Sequence, residues 1–168
     1  MAINIIIDGY NLIGARREAG LGPDIEDERE RLVQRLIRYR KTKAARITLA
    51  FDGAGLGRLA RTRETRDGVT VIFTGAGESA DSLIKEYAGR FGSGLTVVTS
   101  DRDVASYAVK KGCVAVQSGE FGSLLDACEY AEIKGVEGEE DEAVKNKKGA
   151  SRRLKKKERL KERRIKKL

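Results

Sequence analysis

The apolar positions of this chain change period several times, and each change marks an element. Ile3, Ile5, Ile6 and Ile7, interrupted only by Asn4, form the β-branched, almost wholly apolar run expected of a central strand in a parallel sheet covered on both faces. The run stops at Asp8 and Gly9. From Ile25 to Arg40 the apolar residues Ile25, Leu32, Val33, Leu36 and Ile37 share one helical face, after a start signal of Pro23, Asp24 and several first-turn acids. Arg46 to Phe51 reads as a second strand ending at Asp52 and Gly53, and Val69 to Phe73 as a third, joined by an arginine- and glycine-rich loop. Helical spacing returns in Ala80, Leu83, Ile84, Tyr87, Ala88 and Phe91, followed by a fourth strand from Leu95 to Val98. Thr99, Ser100 and Asp101 turn the chain into a helix bearing Val104, Ala105, Ala108 and Val109. A short fifth strand at Val114 to Val116 and a helix from about Glu120 to Ile133 complete the series. Strands alternating with helices predict a doubly wound α/β sandwich with a mainly parallel sheet.

After Ile133 the pattern ends. We expect one domain over residues 1–134, an acidic linker over 135–144 and a basic tail over 145–168. In the tail Leu154, Leu160, Ile165 and Leu168 are too sparse for a core-facing stripe, which predicts a disordered or marginally helical segment. The chain of 168 residues is long enough for one well-buried core. Its formal charge of +8 is uneven: residues 145–168 hold 14 Lys and Arg against 2 Glu, so of the totals of 34 and 26 the first 144 residues keep 20 basic and 24 acidic.

Histidine and tryptophan are absent. That inventory excludes Ser-His-Asp and Cys-His nucleophilic catalysis and any metal site with imidazole ligands. Cys113 and Cys128 stand apart, without Cys-x-x-Cys spacing, and read as reduced structural thiols of a cytoplasmic protein. No run of about 18 apolar residues is present, and the stretch before Asp8 has neither a basic leader nor a cleavage site, so we expect neither a membrane span nor export.

Acids collect where strands end. Ligands of open parallel sheets bind outside the carboxyl ends of the strands, near the point where strand order reverses. Asp8 follows the first strand, Asp52 the second, and Asp101 and Asp103 the fourth, while Glu78 and Asp81 open the helix after the third. An all-oxygen pocket of this kind suits Mg²⁺ or Mn²⁺, ions able to activate a water and stabilise charge on a phosphodiester as it is cut. No histidine is needed. Asp8 carries this reading, because an unpaired carboxylate after a buried strand is costly without a cation beside it. Asp81 fits a first-turn acid rewarded by the helix dipole equally well, and Asp101 an ordinary acid at a helix start. Asp103 suits a capping-box-like pair with Ser100. Asp52, in an Asp-Gly turn, and Glu78, farther round its helix than Asp81, stay in reserve. Asn11, three residues past Asp8, can touch a ligand or simply shape the turn.

The run Asp8, Gly9, Tyr10, Asn11, Leu12, Ile13 resembles the opening motif of the YacP-like NYN domain family, within the PIN-like nuclease group. The similarity continues through Phe51, Asp52, Gly53, through Ser79 to Ile84, and through Val98 to Asp103, four motifs in order over roughly residues 3 to 130. The resemblance implies a PIN-like three-layer α/β/α fold with the first strand central, and a ribonuclease site in which acids hold one or two Mg²⁺ or Mn²⁺ ions. By position, Asp8, Asp81 and Asp101 are the implied metal-binding catalytic acids, with Asp103 as an added acid and Asn11 as a polar ligand contact. Members of this branch include a ribosome-associated endoribonuclease that cuts messenger RNA, which implies RNA and the ribosome as partners. The lysine-rich extension after Glu142 lies outside the resemblance.

Arg58, Arg61, Arg63 and Arg66, between glycines beside the second and third strand ends, are candidate phosphate contacts, with a solvated charged loop as the plain alternative. The tail's density of cations resembles a nucleic-acid-binding arm, and its lack of aromatics disfavours a membrane surface. A metal-dependent endoribonuclease is thus the leading reading. The alternative is a non-catalytic RNA- or ribosome-binding module acting through the basic tail. An aspartyl-nucleophile phosphatase needs an acid two residues after Asp8, where Tyr10 stands.

Overall fold

The first strand lies in the middle of a six-stranded sheet, as its unbroken apolar run requires. The computed structural model describes residues 2–15, 24–134 and 156–168. The strands are β1 (Ile3–Asp8), β2 (Ala45–Phe51), β3 (Thr62–Arg66), β4 (Val69–Phe73), β5 (Leu95–Val98) and β6 (Val114–Val116), arranged β3-β4-β2-β1-β5-β6. All neighbours are parallel except β3 and β4. The helices are α1 (Gly9–Gly14), α2 (Ile25–Thr42), α3 (Ala80–Phe91), α4 (Arg102–Lys110), α5 (Ser118–Ile133) and α6 (Lys156–Ile165). The chain builds outward from β1 to β4 and then returns to β5 on the other side. Strand order therefore reverses between β1 and β5, the position where such sheets open a crevice.

Pleat alternation sorts β1 between two cores. Ile5 and Ile7 join Leu12, Leu36, Phe51 and Phe121 on the face covered by α1, α2 and α5. Ile6 joins Ala50, Leu83, Ile84, Val97 and Val104 on the face covered by α3 and α4. This is the expected three-layer α/β/α arrangement. Ile6 is wholly buried, so Ile6→Ala costs about 2–5 kcal/mol. Helix starts follow their sequence signals: Asp24 caps α2 by accepting from the Glu26 amide, and Ser79 and Ser82 form a reciprocal capping box on α3. Cys113 is buried and free, and the free Cys128 thiol lies 3.1 Å from Thr42 Oγ1, matching the structural role expected of both.

Two segments depart from expectation. The span from Gly53 to Gly68, read as a loop, contains a 3₁₀ turn at Ala54–Leu56 and the edge strand β3. All five β3 residues are exposed, so no apolar alternation announces the strand. The hairpin signal lies in Asp67 and Gly68, whose φ angles of 45° and 81° are those of a primed turn. The second departure is at the far end. Residues 135–155, the acidic linker and the start of the basic tail, lie outside the described residues, but 156–165 form α6. Ile165 packs against the α2 core, Leu168 is buried there, and the Tyr39 hydroxyl donates to the Leu168 carbonyl at 2.5 Å. Arg164 also donates to the Ser93 carbonyl. Two apolar contacts and two hydrogen bonds thus hold a segment whose own periodicity is too weak to predict docking.

Candidate active site

Asp8 ends β1 and caps α1, and that double duty places its carboxylate at the top edge of the sheet. It is 4% exposed. Its Oδ1 accepts from the Asn11 amide at 3.1 Å and its Oδ2 from Asn11 Nδ2 at 2.9 Å. Asn11 Oδ1 in turn accepts from the Ser100 amide at 2.9 Å, tying the end of β1 to the loop after β5. Asn11 therefore positions Asp8. Next along the chain, a Cβ at Gly9 would lie 2.3 Å from Phe51 Cε1, so only glycine lets β1 turn into α1 against that ring.

Asp101 is the N-cap of α4: its Oδ1 accepts from the Asp103 and Val104 amides at 2.8 and 2.9 Å. Both of these bonds fall on Oδ1. The capping-box-like pairing of Ser100 with Asp103 does not form, because Asp101 already satisfies the first-turn amides. Asp103 is exposed in that turn. Asp81 sits in the first turn of α3, partly buried.

These acids feel one another. Burial holds the Asp8 carboxyl above the ordinary carboxylate range against the two Asn11 hydrogen bonds, and Asp81 and Asp101 push it the same way. Asp81 is also raised, by burial and by Asp101, with Asp52 and Asp103 adding to the effect and Lys85 opposing it. Lys85 was missed from the sequence, although its spacing of four from Asp81 is the usual helical ion-pair spacing. Asp52 closes its own turn by accepting from the Ala54 amide at 3.0 Å. Glu78 belongs elsewhere: it binds Arg61 at 2.8 Å and the Gly75 amide at 3.2 Å, and the Arg61 pairing lowers its carboxyl below the usual range.

The candidate arginines separate in the same way. Arg61 pairs with Glu78 and Glu86, and Arg66 with Glu30 and Glu64. Arg63 is exposed on β3. Arg58 donates to Thr62 Oγ1 at 3.0 Å and lies over the Phe73 ring at 4.3 Å from its centroid.

By chemistry the acids suit a hard cation: they are all-oxygen donors, and Asp8 and Asp81 are held above their usual range by burial and by neighbouring carboxylates, a cost that a divalent ion would reverse. As the side chains stand, no three His, Cys, Asp or Glu among the described residues are close enough together to hold an ion. Among the described residues no helix is long and apolar enough to cross a membrane.

A model of the YacP-like NYN domain matches residues 5–168. The chain belongs to the YacP-like NYN domain family. The match carries the family past the four motifs and through α6 to the last residue, so the lysine-rich extension is not foreign to the YacP-like NYN domain. Two solved structures of Rae1 (YacP) from Bacillus subtilis are similar to it. One, a point mutant, is 24% identical with a TM-score of 0.64, covering 82% of this chain and 86% of that one. The other is 26% identical with a TM-score of 0.61, covering 81% and 80%. No curated protein matches the chain. Fold and family together make this a nuclease-type domain.

Proposed function

We propose that this NYN domain is a metal-dependent endoribonuclease that hydrolyses RNA phosphodiester bonds, with messenger RNA on the ribosome as a candidate substrate. The observation that carries this reading is Asp8: a buried carboxylate at the point of strand reversal, raised by burial and by Asp81 and Asp101. Asp8, Asp81 and Asp101 are the catalytic acids and would hold Mg²⁺ or Mn²⁺, with Asp103 added from the first turn of α4. A divalent ion in that position supplies Lewis-acid activation of water and neutralises charge on the phosphodiester. Asn11 keeps Asp8 aimed at the top of the sheet through its two donated hydrogen bonds. Asp101, pinned by two backbone amides, presents one oxygen in a fixed direction. Asp81, in the first turn of α3 and only partly buried, adds a third carboxylate to the site. Arg58 and Arg63 are the candidate arginines that make no ion pair among the described residues and can meet RNA phosphates; Arg61 and Arg66 reach substrate only by exchanging their glutamates.

The test is cleavage of labelled RNA, with and without ribosomes, in Mg²⁺ or Mn²⁺. Wild type should cut and Asp8→Asn should not; equal cutting by both overturns the assignment. If neither cuts and salt-sensitive RNA binding is lost on deleting residues 145–168, the domain acts as a binding module through its basic tail.

A further inference from the structure

Across the top edge of the sheet from the acids, a cavity of about 350 Å³ opens between the start of α2 and the β3–β4 hairpin. Phe51 and Phe73, stacked with centroids 5.3 Å apart, form its apolar wall. Phe51 also touches Tyr10, two residues after Asp8, so cavity and acids share the β1–α1 turn. Arg29 and Arg58 both line the cavity and both lie over Phe73, at 5.7 and 4.3 Å from its centroid. Among the described residues neither makes an ion pair, and the Nε of each is buried without an acceptor. Arg66, on the same wall, is committed to Glu30 and Glu64. Two further lining carboxylates, Glu26 and Asp27, make no ion pair among the described residues.

Arg29 and Arg58 face two carboxylates that, like them, make no ion pair among the described residues, and the whole lining of three arginines against Glu26, Asp27, Glu30 and Glu64 carries a formal charge of −1, which argues against a bare phosphate as its ligand. The set is instead that of a flat group with an acceptor edge, a donor edge and apolar faces. A guanine base has that form: O6 and N7 accept a guanidinium fork, N1–H and the N2 amino group donate to a carboxylate, and the ring faces pack on aromatic or guanidinium planes. Adenine and the pyrimidines lack one of the two paired edges. Single-stranded RNA presents its bases for such capture. We infer that this cavity takes an unstacked guanine of the RNA substrate, Arg29 and Arg58 meeting its O6/N7 edge and Glu26 or Asp27 its N1/N2 edge. RNA crossing the top of the sheet then has this base on the α2 side and the phosphate to be cut on the α3–α4 side. The inference rests on the nuclease reading for its substrate but not for its binding chemistry.

The test uses the full chain in EDTA, where cutting is suppressed, and fluorescein-labelled short oligoribonucleotides identical except for one guanine changed to adenine or inosine. Binding is read by anisotropy. We expect the guanine oligomer to bind about tenfold or more tighter than the adenine one, with inosine between them. Arg29→Lys and Arg58→Lys, which keep charge and lose the fork, should abolish the preference while leaving the salt dependence and the thermal unfolding midpoint near wild type. Arg29→Leu checks the same loss where Arg58→Leu fails to fold. Equal binding of guanine and adenine oligomers, or a preference that survives both lysine variants, overturns the inference. Free GMP binding as tightly as the oligomer overturns its assignment to RNA. Asp8→Asn should keep the guanine preference while losing cleavage in Mg²⁺. If Asp8→Asn cuts like wild type, the acid-site reading falls and the base pocket stands.

Discussion

Charge is handled in opposite ways at the top of the sheet and on its flanks. On the flanks six acids meet cations: Arg35 bridges α2 to Asp126 and Glu129 of α5, Arg61 holds Glu78 and Glu86, and Arg66 holds Glu30 and Glu64. Glu30 and Glu78 are pulled below the usual carboxylate range by their hydrogen-bond partners, and so is Glu129, where Arg35 and Arg38 overcome burial. At the top, Asp8 and Asp81 are buried toward one another and toward Asp101, and both rise. A fold that pairs acids so readily elsewhere leaves these near one another, with Lys85 the cation that acts on Asp81 among the described residues. Flank pairs hold their carboxylates in the charged form, whereas burial and like charge disfavour that form at Asp8 and Asp81.

The contrast breaks most visibly in activity. Asp8→Asn is expected to lower RNA cleavage in Mg²⁺ at least about a hundredfold, the scale of losing a group aimed at developing charge, measured by single-turnover gel assay with circular dichroism confirming the fold. Cleavage within a few-fold of wild type would put Asp8 in the structural class with the flanks. Next in size, Arg35→Ala should cost about 1–2 kcal/mol in urea unfolding, because this arginine is 14% exposed and serves two acids at once. The Glu129 share of that stability is present above 4.5 and lost as pH falls through the depressed folded value, so the Arg35→Ala deficit should shrink in acid.

Asp81→Asn should act in the reverse sense and by a smaller amount. Its folded carboxyl is raised above 3.8, so the wild-type penalty is absent below that value and complete once pH passes the raised one. In EDTA at pH 7 the variant should therefore melt higher than wild type, and the gain should fade as pH drops toward 3.8. A lower melting temperature would show that Asp81 is paired for stability after all. The smallest effect belongs to Arg66→Ala: its partners are half exposed, so the expected cost is below about 1 kcal/mol and should vanish in high salt.

Much of this was legible in one dimension, and the legible parts share a cause. The central strand, α2, the alternation of elements and the position of Asp8 depend on local periodicity and on where an apolar run stops, and both survive folding because burial acts on the same residues. Asp81 and Asp101 were also readable as helix-start acids, and Asp101 turned out to be a true N-cap as well as a neighbour of Asp8.

What only the tertiary structure decided is which charges remain without a partner. Glu78 and Asp81 stand three residues apart, yet the hairpin brings Arg61 to the first, while the second faces Asp8 and Asp101. Arg66 is neutralised by Glu30 from α2, whereas Arg58, eight positions earlier, is laid over Phe73. Arg29 stood out by no spacing at all and gained its place only when α2 met β4. Docking of Ile165 and Leu168 likewise depended on the space left beside Tyr39. Periodicity reports which face of an element is buried. The partner of a charge is set by contacts between elements far apart in sequence, which no local pattern encodes.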